Sequence, residues 1–505
     1  MLFSLFYKIR CSDEAYFNEE GRLIFPEPKF VPEYSNTQRQ VLDEEWKNIR
    51  IKLNMSYITG ELRDPNACYE EGQILNFNNQ KVTCEKNMLL SNTDLTNFTK
   101  TLNHFKEFQE SFLKVLPSPN KDYDMEIIIK IIRYSGSGDT VLASRDTYNE
   151  YSRTTRTTMI FNHAKLPSEP SIWETDSENY VGEMMRQFFR SLDIIHARYH
   201  PKNSTKPYPD EKVYCSFTKY GRKYNFLIAP YSHLFAQKHY GVDVFEGDDK
   251  SCPSGIEIQF DGVRGTNYNF IKGRLFNTDL STQYYLQSGT NTKLRITDAT
   301  MAIIQDTGNY ICNWSMGKPL VWGNPESQIG GKPINDFAIG PPQLVFPEIY
   351  YYYPNNYMDN LNRDRPEYVG FDFKFGGDTG ASSAPTTCSY YEKDYCDAPQ
   401  FYNPLNKTSY FYLSSFDFLP IKYPSIKCKD GEAMIPGDSV CHQYICDKYD
   451  NFTLITPDYG DINSQLTNII CAKKMQIRIL QSNFLYILTN IKMLHVQIQS
   501  CSAEQ

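Results

Sequence analysis

Two histidines four residues apart are the residues of this chain best suited to metal chemistry. His196 and His200 lie in the run His-Ala-Arg-Tyr-His. On a helix this spacing places both imidazoles on one face, where they can share a zinc ion. Hydrolysis at such a site also needs a glutamate beside the first histidine, which takes a proton from the zinc-bound water. Ala197 occupies that place, and none of the 8 histidines stands in a His-Glu-x-x-His pattern.

The element that must position these histidines is a helix predicted for residues 178–200, with Asp176 or Ser177 as its N-cap. Its apolar stripe is formed by Val181, Met185, Phe188, Leu192, Ile195 and Tyr199. These residues recur at three- and four-residue steps, which is typical of a helix packed on a core.

Upstream segments predict the core on which this helix packs. Apolar residues at helical spacing predict an amphipathic helix over Asn97–Leu116. The isoleucine-rich run Ile127–Ile132 is β-branched enough for a buried strand, and Ile49–Leu53 and Thr157–Phe161 are further short strands. The sequence therefore predicts a protein of the α+β class.

Four segments carry a family pattern in a fixed order. They read IAPYSHLFAQKHYG at 228–241, NFIKGRLFNTDL at 269–280, ITDATMAIIQDTGNY at 296–310 and NWSMGKPLVWG at 313–323. They resemble the leishmanolysin family of zinc metalloendopeptidases, and the resemblance extends over roughly residues 45–475. It implies a metzincin-like protease domain, with a twisted sheet and a long zinc-site helix. A disulfide-rich C-terminal domain of irregular and β structure would follow, and zinc is the family's cofactor.

The zinc motif of that family can be aligned with this chain in two registers. In the first, the two histidines described above are vestigial metal ligands and Ala197 replaces the general base. In the second, Arg186 and Arg190 replace the histidines and Gln187 replaces the glutamate. The two arginines lie opposite the apolar stripe, where ligands would face a cleft, so the helical wheel favours the second register.

The third zinc ligand is also missing, because its aligned position falls on Phe270. The sequence thus predicts a catalytically inactive homologue that has lost zinc or binds it weakly, and that acts by binding a protein or peptide ligand. The alternative is an active zinc metalloendopeptidase, working in proteolysis or cell adhesion. Its non-standard site would use His196 and His200 with a carboxylate such as Asp193 or Asp210.

Cysteines crowd the last quarter of the chain, and a smaller pair lies near its start. The disulfide candidates are Cys68, Cys84, Cys388, Cys396, Cys428, Cys441, Cys446 and Cys471. Such a density predicts a disulfide-stapled C-terminal domain and an oxidising compartment.

Other features bear on the location of the protein. Six glycosylation sequons begin at Asn54, Asn97, Asn203, Asn313, Asn406 and Asn451. The net charge of -8 argues against nucleic-acid binding. Residues 479–498 are too polar to span a bilayer. Residues 1–7 are too short for a signal-peptide core, so we expect the true start upstream. The family resemblance and the cysteines imply an extracellular or cell-surface protein.

Shifts in composition predict the domain boundaries. The segments are a pro-region remnant or disordered start at 1–42, an N-terminal protease-like subdomain at 43–225, a central subdomain at 226–340, a Pro/Tyr/Gly-rich connection at 341–387, a cysteine-rich domain at 388–475 and a tail at 476–505.

Overall fold

The computed structural model describes most of the first 320 residues and a few later strands. The described residues are 14–18, 23–33, 45–77, 80–132, 140–173, 180–195, 198–202, 204–220, 222–259, 270–276, 279–282, 295–318, 320, 338–339, 375–376, 426–428, 432–434, 441–448, 451–457 and 466–472.

The described ranges contain five α-helices, separated by runs of strands. The helices are α1 Ser56–Thr59, α2 Asn92–Phe112, α3 Tyr180–Ser191, α4 Pro230–Tyr240 and α5 Asp298–Asp306. The first strands are β1 Tyr16–Phe17, β2 Leu23–Ile24, β3 Lys29–Phe30, β4 Lys47–Asn48, β5 Ile51–Asn54, β6 Ile74–Phe77, β7 Gln80–Thr83, β8 Leu113–Val115, β9 Met125–Ile132, β10 Val141–Tyr148 and β11 Thr154–Asn162. The later strands are β12 Tyr214–Lys219, β13 Arg222–Leu227, β14 Val244–Glu246, β15 Ser251–Pro253, β16 Ile256–Glu257, β17 Ile311–Cys312, β18 Phe375–Gly376, β19 Ile426–Lys427, β20 Glu432–Met434, β21 Cys441–Lys448, β22 Asn451–Pro457 and β23 Leu466–Ala472. This mixture of helices and several sheets is an α+β architecture, as the sequence predicts.

The chain divides into two compact units. Unit 1 comprises Met1–Tyr208 together with Ile304–Asn313, and unit 2 comprises Pro209–Ile303 together with Trp314–Gln505.

Unit 1 is built on a five-stranded sheet in the order β3-β10-β11-β9-β5. Strands β5, β9 and β11 run parallel, β10 is antiparallel to β11, and β3 is parallel to β10. The predicted isoleucine strand is confirmed as β9, in which Ile127 and Ile129 are fully buried. A near-continuous apolar run of this kind fits a strand that is covered on both faces.

Helix α2 packs against this sheet through one apolar face. Its buried residues include Phe98, Leu102 and Phe105. The rings of Phe98 and Phe161 meet edge to face with centroids 4.8 Å apart. The helix begins five residues before the predicted start because Ser91 and Asp94 form a capping box. It ends at Phe112 because β8 follows directly and pairs with β4 and β17.

The N-terminal segment is part of unit 1. Ala15 is fully buried and Phe17 nearly so, in one core cluster with Ile132 and Ile160. Residues 14–18 and 23–33, within the predicted start segment 1–42, are thus described parts of unit 1. Although this stretch is mostly polar, some of its few apolar residues pack in the core.

Unit 2 combines helix α4 and most of α5 with small antiparallel sheets. One has the order β12-β13-β16, β14 pairs with β15, and β20-β21-β22-β23 form a meander of four strands. The β content predicted for the cysteine-rich region is present in this meander.

Candidate functional site

The helix predicted to carry the zinc motif is shorter than its sequence pattern indicates. Helix α3 begins at Tyr180 and ends at Ser191, whereas the apolar pattern predicts a helix over 178–200. Residues 192–195 form a turn, and His200 lies in irregular chain beyond it. His196 and Ala197 lie outside the described residues. The predicted C-terminal end of the helix was therefore wrong, and His200 is not a helical residue.

A clamped turn ends the helix. Asp193 adopts a left-handed conformation with φ of 58°, which interrupts the helical path. Its carboxylate accepts a hydrogen bond of 2.7 Å from Arg145 on β10. The same guanidinium donates to the backbone oxygen and the hydroxyl of Ser152, at 2.5 and 3.1 Å. Ser152 also has φ of 58°. Arg145 thus holds two non-glycine residues that both adopt a conformation costly for side chains.

The position of this turn bears on the motif register. The metzincin pattern His-Glu-x-x-His-x-x-Gly places a glycine three residues after the second histidine. Counting from Arg190 gives Asp193, and glycine is the residue best suited to a left-handed backbone. In the other register the same count gives Asn203, which lies outside the described residues. The observed turn therefore supports the register in which arginines replace the histidines.

Only one narrow stripe of α3 reaches the surface. Nine of its 12 residues are buried, while Glu183, Arg186 and Arg190 are partly exposed. Arg186 pairs with Glu183 at 3.2 Å. Gln187, at the place of the general base in this register, is buried, and its amide oxygen has no hydrogen-bond partner among the described residues. An amide has no carboxylate with which to take a proton, so this position offers no general base.

His200 is packed in the interior of unit 1. It is 2% exposed, its Nε2 lies 2.8 Å from the carbonyl oxygen of Tyr151, and its Nδ1 lies 3.1 Å from that of Pro201. A Cβ on Gly308 would lie 2.2 Å from the His200 backbone oxygen, so only glycine fits there. Zinc binding needs a ring nitrogen whose lone pair faces the metal. As placed, the ring would have to give up one carbonyl contact first.

The two carboxylates of the alternative site, Asp193 and Asp210, have other surroundings in the structure. Asp193 is paired with Arg145, and Asp210 is an exposed residue that opens a 3₁₀ turn in unit 2. Across the described residues, no group of three or more His, Cys, Asp or Glu side chains is placed to hold a metal ion. The residues that the structure describes do not fit the zinc site of the family.

The third-ligand position belongs to the core of unit 2. Phe270 is 5% exposed, and its carbonyl oxygen accepts a hydrogen bond from the Gln259 amide. Four residues later, the fully buried Arg274 pairs with Glu257 at 2.7 Å. A buried aromatic ring serves packing and offers no ligand atom.

Asp146 on β10 is a titratable residue that the sequence analysis missed. Burial raises its pKa to about 7, although hydroxyl hydrogen bonds from Thr158 and Ser144 and the nearby Arg156 oppose the shift. Shifted carboxyls often mark functional sites. Here both oxygens are bonded internally and the residue is 3% exposed, which indicates a structural role. The sequence offered no signal for this burial, because Asp146 is flanked by the polar residues Ser144, Arg145 and Thr147.

Three disulfide bonds are present in the described part of the chain. The predicted pair Cys68–Cys84 is confirmed, and Cys428–Cys441 joins two further candidates. The bond Cys215–Cys252 was not predicted, because spacing alone does not determine connectivity. Cys388 and Cys396 lie outside the described residues, as do the side chains of Cys446 on β21 and Cys471 on β23.

The described sequon asparagines differ in the exposure and hydrogen bonding of their side chains. Asn54 donates to Glu126 at 3.1 Å, and Asn97 donates to the Ser168 carbonyl oxygen at 2.6 Å. Asn313 is exposed, whereas Asn54 and Asn97 are partly buried, and its side-chain amide lies 3.5 Å from the Ser111 carbonyl oxygen. Outside the described residues lie Asn203, Asn406 and the side chain of Asn451.

Two comparisons with known proteins found no match. No family model matches the chain, and no curated protein matches it. Within the described ranges, no helix has both the length and the apolar character needed to cross a membrane.

Proposed function

We propose that this chain is a catalytically inactive homologue of the leishmanolysin zinc metalloendopeptidases, which acts at or outside the cell surface by binding a protein or peptide ligand. The four ordered sequence segments support the family. One structural observation carries the loss of activity: α3 ends in the left-handed turn at Asp193, three residues after Arg190. This turn supports Arg186, Gln187 and Arg190 as the residues in the places of the motif.

The chemistry of those three side chains is incompatible with zinc hydrolysis. A guanidinium remains protonated at any physiological pH and has only N–H donors, so Arg186 and Arg190 would repel a cation. Gln187 cannot act as the general base, and loss of a general base alone typically lowers rates about 10²- to 10⁴-fold. Without the metal, the pKa of the attacking water is not lowered either.

The test measures zinc and proteolysis on one sample. Elemental analysis of the purified chain should find far less than one zinc per molecule, and fluorogenic peptides should not be cleaved in a chelator-sensitive way. One bound zinc together with cleavage that a chelator abolishes would refute the proposal.

A His200→Ala variant separates this proposal from an active protease with a non-standard site. We expect the variant to lower thermal stability, because two carbonyl contacts are lost, with no change in zinc content or cleavage. If the wild-type chain cleaves peptides and the variant does not, His200 is a ligand and the alternative is correct.

Passage through the secretory pathway is a separate part of the proposal. Three disulfide bonds are typical of proteins that fold in an oxidising compartment. Of the described sequons, Asn313 is the most accessible. When the chain is secreted from eukaryotic cells, endoglycosidase should shift its mobility, and Asn313→Gln should reduce that shift. Asn54→Gln is the matched control and should leave the shift unchanged, because the Asn54 amide is bonded to Glu126.

A further inference from the structure

The N-terminal residues 14–18 and 23–33, here together called the strap, are attached to unit 1 by two ion pairs whose cations are both buried. Each pair joins an acid of the strap to a buried cation, which is Lys130 on β9 in one pair and Arg153, just before β11, in the other. The two contacts lie near opposite ends of the strap, so it is fixed at both.

The first contact involves Lys130 on the central strand β9. This lysine is 3% exposed, and its Nζ lies 3.1 Å from Glu14 and 3.2 Å from Asp64. It also donates to the carbonyl oxygen of Ala15 at 3.2 Å and lies 4.5 Å from the ring centre of Tyr57. A buried ammonium needs such partners, and the strap supplies two of them.

Apolar packing reinforces this contact. Ala15 and Phe17 insert into the cluster of Ile132 and Ile160. The carbonyl oxygen of Phe17 accepts a hydrogen bond of 2.9 Å from Asn66. The first half of the strap therefore fills part of the core rather than covering its outside.

The second contact joins Glu33 to Arg153, the residue just before β11. Their atoms are 3.1 Å apart, and both side chains are 3% exposed. Glu33 also accepts hydrogen bonds of 3.0 to 3.1 Å from Ser118, Lys121 and Asn149. Burial alone would raise the pKa of Glu33, but Arg153 and the other donors outweigh it and lower that pKa. The carboxylate is therefore held in its charged form.

Backbone pairing runs between these two contacts. Strand β3 pairs in parallel with the end of β10, and the Val31 amide donates to the carbonyl oxygen of Tyr148 at 2.8 Å. The Glu33 amide donates to the carboxylate of Glu150 at 2.9 Å. The strap is thus an edge of the main sheet.

We propose that residues 14–18 and 23–33 are a permanent structural strap of unit 1 and not a removable pro-region. Removal would take Glu33 from Arg153 and Glu14 from Lys130, leaving both cations in the interior with fewer partners. It would also uncover Ile132 and Ile160 and delete a strand from the sheet. This inference is independent of the proposed function.

The experiment cuts the intact chain and asks whether the strap leaves. A specific protease site is inserted between residues 36 and 37 of the full chain, and the cleaved product is passed through a size-exclusion column at 0.15 M and 1 M NaCl. We expect the N-terminal fragment to co-elute with the remainder at both salt concentrations, because buried ion pairs are weakly screened. Separation of the wild-type fragment under both conditions would overturn the proposal.

Charge variants test the cause of retention. In the double variant Glu14→Gln and Glu33→Gln, the fragment should dissociate at least tenfold faster than in the wild type. Glu27→Gln, at an exposed strap residue, is the matched control and should dissociate at the wild-type rate. Equal release from the control and the double variant would show that the two ion pairs do not hold the strap. Circular dichroism verifies that each variant is folded, and if the double variant does not fold, the wild-type cleavage result decides.

Discussion

Helices α2 and α3 belong to the same unit but are held in different ways. Helix α2 buries one face and begins with a capping box at Ser91, so residues within three positions of each other determine where it starts. Helix α3 is buried on almost every side and ends where Arg145, 48 residues away, fixes Asp193. The lesson is that local sequence defines α2, whereas tertiary contacts define α3. Four predictions test this contrast, in order of decreasing effect.

The largest effect is expected at Asp146, on the strand against which α3 packs. Its pKa is raised in the folded state to about 7, so folding favours the protonated carboxyl. That contribution is present at low pH and is lost as pH rises from about 4 to about 7. In Asp146→Asn the dependence should flatten, and at pH 8 the variant should exceed the wild type by up to roughly 4 kcal/mol. Urea unfolding between pH 4 and pH 8 measures this, and parallel curves would contradict it.

Removal of the clamp at the end of α3 should have the next largest effect. Arg145→Ala loses the ion pair with Asp193 and both bonds to Ser152, at a cost of about 3 kcal/mol in unfolding free energy. Asp193→Gly is the control: it loses the same pair but relieves the left-handed strain, so its cost should stay under about 1 kcal/mol. If the two variants are equally destabilised, Arg145 does not stabilise the chain by holding this turn.

The buried side-chain amide of Gln109 on α2 gives a substitution that should raise stability instead of lowering it. Gln109 is fully buried, and neither polar atom of its side-chain amide has a hydrogen-bond partner among the described residues. Gln109→Leu should therefore stabilise unit 1 by about 1 to 2 kcal/mol in chemical denaturation. Asn103→Leu, on the exposed face of the same helix, should change stability by less than about 0.5 kcal/mol. A loss of stability in Gln109→Leu would indicate a buried partner such as water.

The smallest effect is expected at the start of α2. Ser91→Ala removes the side chain that accepts from the Asp94 amide at 3.1 Å, which should lower stability by about 1 kcal/mol. Ser111→Ala near the other end is the matched substitution and should lie within about 0.5 kcal/mol of the wild type. Equal effects in thermal melts would show that the cap does not define this helix.

The same contrast explains which parts of the fold the sequence predicts. Periodicity and β-branching predict α2, β9 and β11, because those signals report a continuous buried face. The end of α3 was predicted nine residues too late, since apolar residues continue past Ser191 while the break depends on Arg145. The strap was missed because Glu14 and Glu33 have the sequence appearance of solvent-exposed acids, and only the fold brings Lys130 and Arg153 to them.

The candidate site shows a similar limit. The helical wheel separates Arg186 and Arg190 from the apolar stripe, and both are among the few partly exposed residues of α3. A wheel contains no information on the second layer of packing, so the burial of Gln187 could not be read from it. The contact of His200 with the Tyr151 carbonyl oxygen was equally hidden, because Tyr151 lies 49 residues away in sequence.

The pairing of β17 with β8 has a consequence for the order of folding. Ile311 pairs with Lys114, so unit 1 closes only after the whole first segment of unit 2 has been synthesised. Contacts between residues so far apart require costly loop closure, and they slow folding. On the ribosome, unit 1 would wait unfinished while residues 209–303 emerge. During that interval, the edge of β8 that β17 covers stays unpaired and open to wrong strand pairing.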